Sequence, residues 1–282
     1  MTLTINTNLS SLIVQKNLNS ATESLNDAIK RMTTGYKINN AKDNAAGYSI
    51  VSDWTTKLGS LDVASQNASM GADLLKTAEE NYSLITEHLQ RVRDLTEQAA
   101  NGTYGADSLA AIKSEITARL SEIDRIAANC EFNGISLMTG TGTAINLQVG
   151  IKGDANSRIT LAATLFSACD SKTLLGTEIA TFAGNCTKDA ATAATQLDTI
   201  DGAISDISEK VTSIGAAQNR VDSAIGAISV QYENLTSSLS TIRDADVANE
   251  SSAYIKAQIL QQASATLLAT ANQTPSIALN LI

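Results

Sequence analysis

The chain has 282 residues, of which 43% are apolar, 17% are charged and only 4% are aromatic, and its formal net charge is -9. A chain of this length and polarity can bury a core and hold more than one domain, so its composition excludes a disordered protein. The acidic charge argues against a nucleic-acid-binding protein, which needs a stripe of Lys and Arg to displace counterions from phosphates. The same charge argues against a basic helix that lies on a membrane surface.

The N-terminal segment shows no targeting signal, and its apolar residues predict a helix. Its opening residues, MTLTINTNLSSLIVQKNL, lack the basic and the long apolar regions of a secretory signal. The sequence has no uninterrupted run of about 18 apolar residues, so we expect no membrane insertion. Residues at helical spacing form one apolar face: Val14, Leu18, Ala21, Leu25, Ala28 and Met32.

Two further helices are predicted in the N-terminal half. A long heptad pattern ends at the turn residues NGTYG, 101 to 105, and a shorter helix then runs from about Asp107 to Ala128. The pattern of the first is Leu61, Ala64, Ala68, Gly71, Leu75, Ala78, Tyr82, Ile85, Leu89, Val92, Thr96 and Ala99. The inward residues of the second are Leu109, Ile112, Ile116, Leu120 and Ile123.

The middle of the chain changes period. The segments AINLQVG and RITLA alternate apolar and polar residues around a turn-rich stretch, which predicts a β-hairpin over about 144–162. Residues 166–194 have no strong period, and we expect them to form a short surface segment. Cys169 and Cys186 could form a disulfide outside the cell, but the odd count of cysteines favours free buried thiols.

The C-terminal half contains the clearest pattern of the sequence, and it predicts one long coiled-coil helix. Its strongly polar member, Gln218, either fixes the register of the helices or faces a solvated gap. The pattern is Leu197, Ile200, Ile204, Ile207, Val211, Ile214, Gln218, Val221, Ile225, Ile228, Tyr232, Leu235, Leu239 and Ile242.

The last helix offers a partner for the first. We expect the two terminal helices to pair, and we expect the rest of their apolar surface to be buried by other copies of the chain, since a two-helix pair leaves the outer faces in water. Leu281, beyond Pro275, is assigned to the same assembly surface. The apolar face of this helix is Ile259, Leu260, Ala263, Leu267, Leu268 and Ala271.

The sequence indicates no enzyme. His88 is the single histidine, so a histidine-based metal cluster is excluded and a Ser-His-Asp triad would need a residue on a helix surface. Cys130, Cys169 and Cys186 lack the CxxC spacing of a zinc site. Phosphate-binding and dinucleotide-binding glycine motifs are missing as well. We therefore predict no catalytic residue, no metal site and no cofactor.

The segment MTTGYKINNAKDNAAGYSI, residues 32–50, resembles a motif of the bacterial flagellin family. Three further stretches match this family in the same order along the chain. The first is INTN at 5–8, and the third is AQILQQA at 257–263. The second consists of LQRVRDL at 89–95, followed by Glu115 and Ile116 and by EIDRIA at 122–127. The resemblance covers roughly residues 1–165 and 195–282.

The resemblance implies a mainly α-helical protein in which long coiled-coil helices from both chain ends flank the small β-hairpin. It implies that residues 1–42 and 246–282 pair as an inner domain that lines the channel of a filament. Residues 43–165 and 195–245 would form a helical outer tube, and the chain would be secreted as the motility filament subunit. Two alternatives remain: a hook-filament junction protein of the same superfamily, and a chemoreceptor-like signalling coiled coil.

The resemblance also implies partners. They are other copies of the subunit, the flagellar cap and hook-associated proteins, and an export chaperone of the type III route. Arg91, Leu95 and Glu115 match family positions that contact the host flagellin-sensing Toll-like receptor.

Overall fold

A computed structural model describes residues 7–140 and 143–279 of the chain, with side chains described as far as residue 273. Helices dominate these residues, and the strands form two small antiparallel pairs. The helices are α1 Leu9–Thr34, α2 Ala45–Ala100, α3 Ala106–Asn129, α4 Ser171–Leu175, α5 Ile179–Cys186, α6 Ala190–Arg243 and α7 Val247–Leu279. The strands are β1 Glu131–Phe132, β2 Ile135–Ser136, β3 Ile145–Gln148 and β4 Arg158–Leu161. The predicted fold class is confirmed.

The chain divides into two compact units. The end unit comprises Met1–Leu58 and Glu233–Ile282, and the central unit comprises Gly59–Tyr232. These boundaries lie inside α2 and α6, because each of those helices continues from one unit into the other. They differ from the boundaries expected near residues 42 and 246. Those boundaries separate an inner domain from an outer tube in an assembled filament, and that division stays a prediction.

The end unit is built on the antiparallel pairing of α1 with α7. Asn8 caps α1 by accepting the Ser11 N–H through its side-chain oxygen at 3.0 Å, which satisfies one of the unpaired donors of the first turn. Gly35 ends α1 in a left-handed conformation with φ of 73° and donates to the Arg31 carbonyl. The two terminal helices therefore contact each other from end to end.

The heptad patterns predicted for α2 and α6 face inward, and most of their positions lie in the core of the central unit. All twelve predicted positions of α2, from Leu61 to Ala99, are buried. Along α6 the predicted positions are buried or half-buried except Tyr232, which is exposed. Gln218 is half-buried and donates to Glu79 Oε2 at 2.7 Å, so it bonds across to α2 rather than facing a solvated gap.

The predicted β-hairpin is confirmed, with β3 and β4 antiparallel and Ile145 opposite Leu161. It packs on α2 next to Gly71, where a Cβ atom would overlap the Leu147 side chain. The Asn67 side chain on the same helix donates to the Gln148 carbonyl at 3.2 Å. The small residue in the heptad pattern of α2 thus lies where β3 approaches most closely.

The expectation that residues 166–194 form a surface segment is wrong. Phe166, Leu175, Phe182 and Cys186 are buried in the core of the central unit. The Ser171 N–H donates to Asp124 Oδ1 of α3 at 2.6 Å, which ties the start of α4 to that helix. Short helices need only a few apolar residues to face the core, so no extended period marks this segment in the sequence.

Candidate assembly and recognition surfaces

The face of α1 turned towards α7 follows the sequence prediction. Ala21 and Ala28 are buried, and Val14, Leu18 and Leu25 are half-buried beside them. Met32, the last predicted member, is exposed. The buried positions repeat every seven residues and carry the smallest apolar side chain, so the two helix backbones approach closely there.

The face of α7 turned towards α1 differs from the prediction. Ile259, Leu260, Ala263 and Leu267 are exposed, so the assignment of these residues to the pairing face is wrong. Leu268 and Ala271 keep their predicted place. The observed face repeats at intervals of three and four: Ala257, Gln261, Ser264, Leu268 and Ala271.

Polar bonds fix the alignment of the two helices. Asn8 Nδ2 donates to the Ala271 carbonyl at 2.7 Å, and Gln261 Nε2 donates to Thr22 Oγ1 at 3.2 Å. Near the other end of the pair, Arg31 and Glu250 form an ion pair at 3.4 Å. The sequence analysis missed Gln261 because a polar residue at a heptad position carries no hydrophobic signal.

Large apolar side chains cover the outward faces of the same two helices. Ile259 and Leu267 are 59% and 57% exposed. The other exposed members are Leu9, Leu12, Ile13, Ile29 and Met32 on α1, and Val247, Ile255 and Leu260 on α7. We call these side chains together the outer apolar surface; Leu281, which was assigned to the same surface, lies outside the described residues.

A second structure in the end unit joins the segments that follow α1 and α6. Lys37 N–H donates to the Arg243 carbonyl at 2.7 Å, and Ala245 N–H donates to the Gly35 carbonyl at 2.9 Å. The Arg243 guanidinium lies 4.1 Å from the centre of the Tyr36 ring, at a distance where the ring face attracts a cation. The motif at residues 32–50 indicated a family resemblance, but its sequence did not predict that this segment contacts the segment after α6.

Arg91, Leu95 and Glu115 are placed unequally by the structure. Arg91 Nε donates to Glu115 Oε1 at 3.0 Å, which joins α2 and α3 through two exposed side chains. Leu95 is only 2% exposed and belongs to the core of the central unit. A direct contact of a partner with Leu95 is therefore ruled out while the core stays closed, whereas Arg91 and Glu115 are accessible.

The three cysteines are free and buried in the central unit. Burial raises the pKa of the Cys130 thiol to about 11 and also raises the pKa of Cys186. The phenol pKa of the neighbouring Tyr82 is raised, above all by burial, and its hydroxyl donates to the Leu165 carbonyl at 2.9 Å. Desolvation disfavours the charged form of each group, so these side chains act in the core as neutral packing residues.

The described residues contain neither a membrane-spanning helix nor a cluster of metal ligands. None of the helices in that part of the chain has a segment long and apolar enough to cross a membrane. Within the same residues, His, Cys, Asp and Glu side chains do not gather in groups of three or more that could hold a metal ion.

Comparison with known proteins gives matches along both ends of the chain. A model of the bacterial flagellin N-terminal helical region matches residues 5–143, and a model of the bacterial flagellin C-terminal helical region matches residues 197–282. A flagellin of Listeria monocytogenes is 32% identical over 283 residues, with 99% of each chain covered. A flagellin of Xenorhabdus nematophila is 34% identical over 316 residues, with 100% of each chain covered.

A solved structure shares the fold. It is a putative flagellar hook-associated protein from Vibrio parahaemolyticus, which aligns with 72% of this chain and 100% of its own length at a TM-score of 0.61. The sequence identity is 15%, so the likeness concerns the fold alone.

Proposed function

The chain belongs to the bacterial flagellin family and is a structural subunit of the flagellar filament, and from this premise we propose that copies of the chain assemble through the outer apolar surface. The observation that carries the proposal is the distribution of side-chain size on α1 and α7. Large apolar residues face outward, while Ala, Ser and Gln residues make much of the contact between the two helices.

This distribution is the reverse of what stabilises an isolated helical hairpin. Burial of a Leu or Ile side chain contributes about 1.5–3 kcal/mol, and monomeric proteins rarely expose large contiguous apolar patches. Side chains such as Leu12, Ile13, Ile259 and Leu267 contribute this free energy only when another molecule covers them. A second copy of the chain is the partner that membership of a filament family supports.

We further propose that α1 and α7 become fully ordered when the subunit joins the filament. The fully buried positions of their contact carry only alanine and serine, so the contact buries little apolar area to offset the conformational entropy of two long helices. When other copies of the chain cover the outer apolar surface, the additional buried apolar area offsets this entropy. Contacts that are heterologous and do not close into a ring extend without limit, which is the geometry of a helical filament.

The remaining parts of the proposal concern the setting of the subunit. The filament would lie outside the cell and serve motility, and the subunit would act without catalysis. Cap and hook-associated proteins and an export chaperone would be further partners of the terminal helices. Family membership supports these assignments.

Paired charge substitutions on α7 test the assembly proposal. In the variant with Ile259→Asp and Leu267→Asp, we expect soluble chains that keep the helical circular dichroism of the parent but form no sedimentable polymer after nucleation. Both side chains are exposed, so their replacement leaves the core intact, while a buried unpaired carboxylate in a subunit contact is costly.

The control carries the same two charges on another side of the same helix. Ala265 and Ala269 are also exposed, and at 100° per residue both lie about 160° around the helix from Leu267 and about 80–120° from Ile259. The variant with Ala265→Asp and Ala269→Asp should polymerise. Filaments of normal length from the first variant, observed by electron microscopy, contradict the proposal.

We also propose that the exposed pair Arg91 and Glu115 contacts a host flagellin-sensing Toll-like receptor. The observation that favours this function is the ion pair itself, which brings two family-matched residues to one accessible place on the central unit. Leu95 would support the pair from the core. A receptor-reporter cell assay with monomer should lose signal when Arg91→Ala and Glu115→Ala are combined.

The matched control for that assay is another exposed Arg and Glu pair. Arg125 and Glu122 lie on α3 and form an ion pair at 2.6 Å. The variant with Arg125→Ala and Glu122→Ala should signal as the parent does. Full signalling by the Arg91 and Glu115 variant would rule out the contact.

A further inference from the structure

The sequence contains two Asn-Gly dipeptides, Asn101-Gly102 and Asn133-Gly134, and both asparagines are exposed. Asn followed by Gly is chemically labile, because glycine has no Cβ to shield its backbone nitrogen from the neighbouring side-chain amide. Reaction requires the Gly nitrogen to swing towards the Asn Cγ atom. The backbone around each pair therefore decides which of the two reacts.

Asn101-Gly102 lies in an open loop. Asn101 directly follows α2 and donates its N–H to the Gln98 carbonyl at 3.1 Å, and its side-chain oxygen accepts the Thr103 N–H at 3.3 Å. Among the described residues no acceptor faces the Gly102 N–H, and a Cβ built on Gly102 would have no neighbour within 4 Å. The Gly102 N–H thus has no acceptor among the described residues, and the Gly102 Cα is open to solvent on the side where a Cβ would stand.

Asn133-Gly134 is held by a tight turn. It forms the two-residue connection between β1 and β2, and Phe132 pairs with Ile135 directly beneath it. Both residues have positive φ, 49° at Asn133 and 77° at Gly134, as a type I′ hairpin turn requires. Rotation of this backbone towards the reactive geometry breaks the strand pair, so exposure alone does not make Asn133 reactive.

We infer that Asn101 is a site of spontaneous deamidation and that Asn133 is protected by its turn. The Gly102 nitrogen gives up its proton and forms a bond to Asn101 Cγ, and the bond from Cγ to the side-chain nitrogen breaks with release of ammonia. Water then opens the resulting succinimide at either carbonyl to yield aspartate or isoaspartate. One water is consumed and one ammonia is released, and no oxidant is needed.

The product changes the end of α2 in two ways. A carboxylate replaces a neutral amide beside the carbonyl end of the helix, where a negative charge is unfavourable. Isoaspartate also adds a methylene group to the backbone of the loop that leads to α3. The inference concerns the chemistry of this loop and does not depend on the assembly proposal.

Peptide mass spectrometry of the full chain, aged at mildly alkaline pH and then digested in acid, measures both sites in one sample. We expect deamidation at Asn101 to be roughly tenfold faster than at Asn133, a ratio that corresponds to about 1.4 kcal/mol in the activation free energy. The variant Gly102→Ala should slow Asn101 by a similar factor without disturbing the fold, because the added methyl group meets open space. Isoaspartate methyltransferase labelling reports the same product independently.

The chain unfolded in urea is the decisive control. Without the turn, the two Asn-Gly pairs should react at similar rates. Equal rates in the folded chain overturn the inference, as does a faster reaction at Asn133. Unchanged deamidation at Asn101 in the Gly102→Ala variant also overturns it.

Discussion

At the residue scale, Gly71 shows how one missing side chain positions an element. The hairpin strand β3 rests on α2 at this residue, and a Cβ atom there would overlap Leu147. A glycine inside a helix costs roughly 0.5–1 kcal/mol relative to alanine. The close contact with β3 offsets that cost, since an interior packs without room for an extra carbon.

Two alanine substitutions separate these effects. We expect Gly71→Ala to lower the free energy of unfolding by about 1 kcal/mol through overpacking against Leu147. On α6, Gly202→Ala should instead raise it by about 0.5–1 kcal/mol, because its new Cβ atom meets nothing within 4 Å. Urea unfolding followed by circular dichroism measures both. Equal stabilities of the two variants would contradict the packing role of Gly71.

At the element scale, the terminal helices show what periodicity leaves open. On α1 the apolar residues from Val14 to Ala28 coincide with the contact face. On α7 the large apolar residues and the contact face are separate, and Ser264 and Gln261 take the inner positions. Periodicity locates apolar residues, but it does not tell whether the same chain or another copy covers them.

The segment between α1 and α2 has its own electrostatic support, which predicts a pH dependence. The Asp43 carboxylate accepts the backbone N–H groups of Asn39 and Asn40, each at 3.0 Å. The N–H group of Asn39 is the first cause that holds the pKa of Asp43 below its usual value of 3.8, and that of Asn40 is the second. A depressed folded-state pKa gives stability that is present above the unfolded pKa and is lost as the pH falls through the folded one.

We therefore expect Asp43→Asn to be less stable than the parent at neutral pH. The difference should shrink as the pH falls below about 3.8, because Asp43 then binds a proton first in the unfolded parent and, at still lower pH, in the folded parent. Thermal unfolding at a series of pH values measures this difference. A stability deficit of the Asp43 variant that stays constant at every pH would refute the assignment.

At the scale of the whole molecule, two compact units differ in how they are stabilised. The central unit buries large side chains such as Tyr82, Phe166 and Phe182 within its own chain. The end unit leaves residues of comparable hydrophobicity outside, including Leu12 and Ile259. The central unit thus has a core of its own, whereas the exposed apolar side chains of the end unit are those that the proposed assembly would cover.

The sequence by itself determined the long helices α2 and α6, the C-terminal end of α2 at NGTYG, the hairpin of β3 and β4, and the resemblance to the flagellin family. These features are local, because a helix or strand repeats its inward face at a constant interval. Residues 166–194 lack such an interval, and only the tertiary structure decided that Phe166, Leu175 and Phe182 enter the core.

Tertiary structure also decided which face of α7 meets α1, that Gln218 bonds to Glu79, and that Leu95 is buried while Arg91 stays exposed. Each of these depends on contacts between residues far apart in the chain. The physical reason is that a helix face is buried only when another element covers it. The residues of the face set how much free energy its burial would contribute, but they do not determine which element covers it.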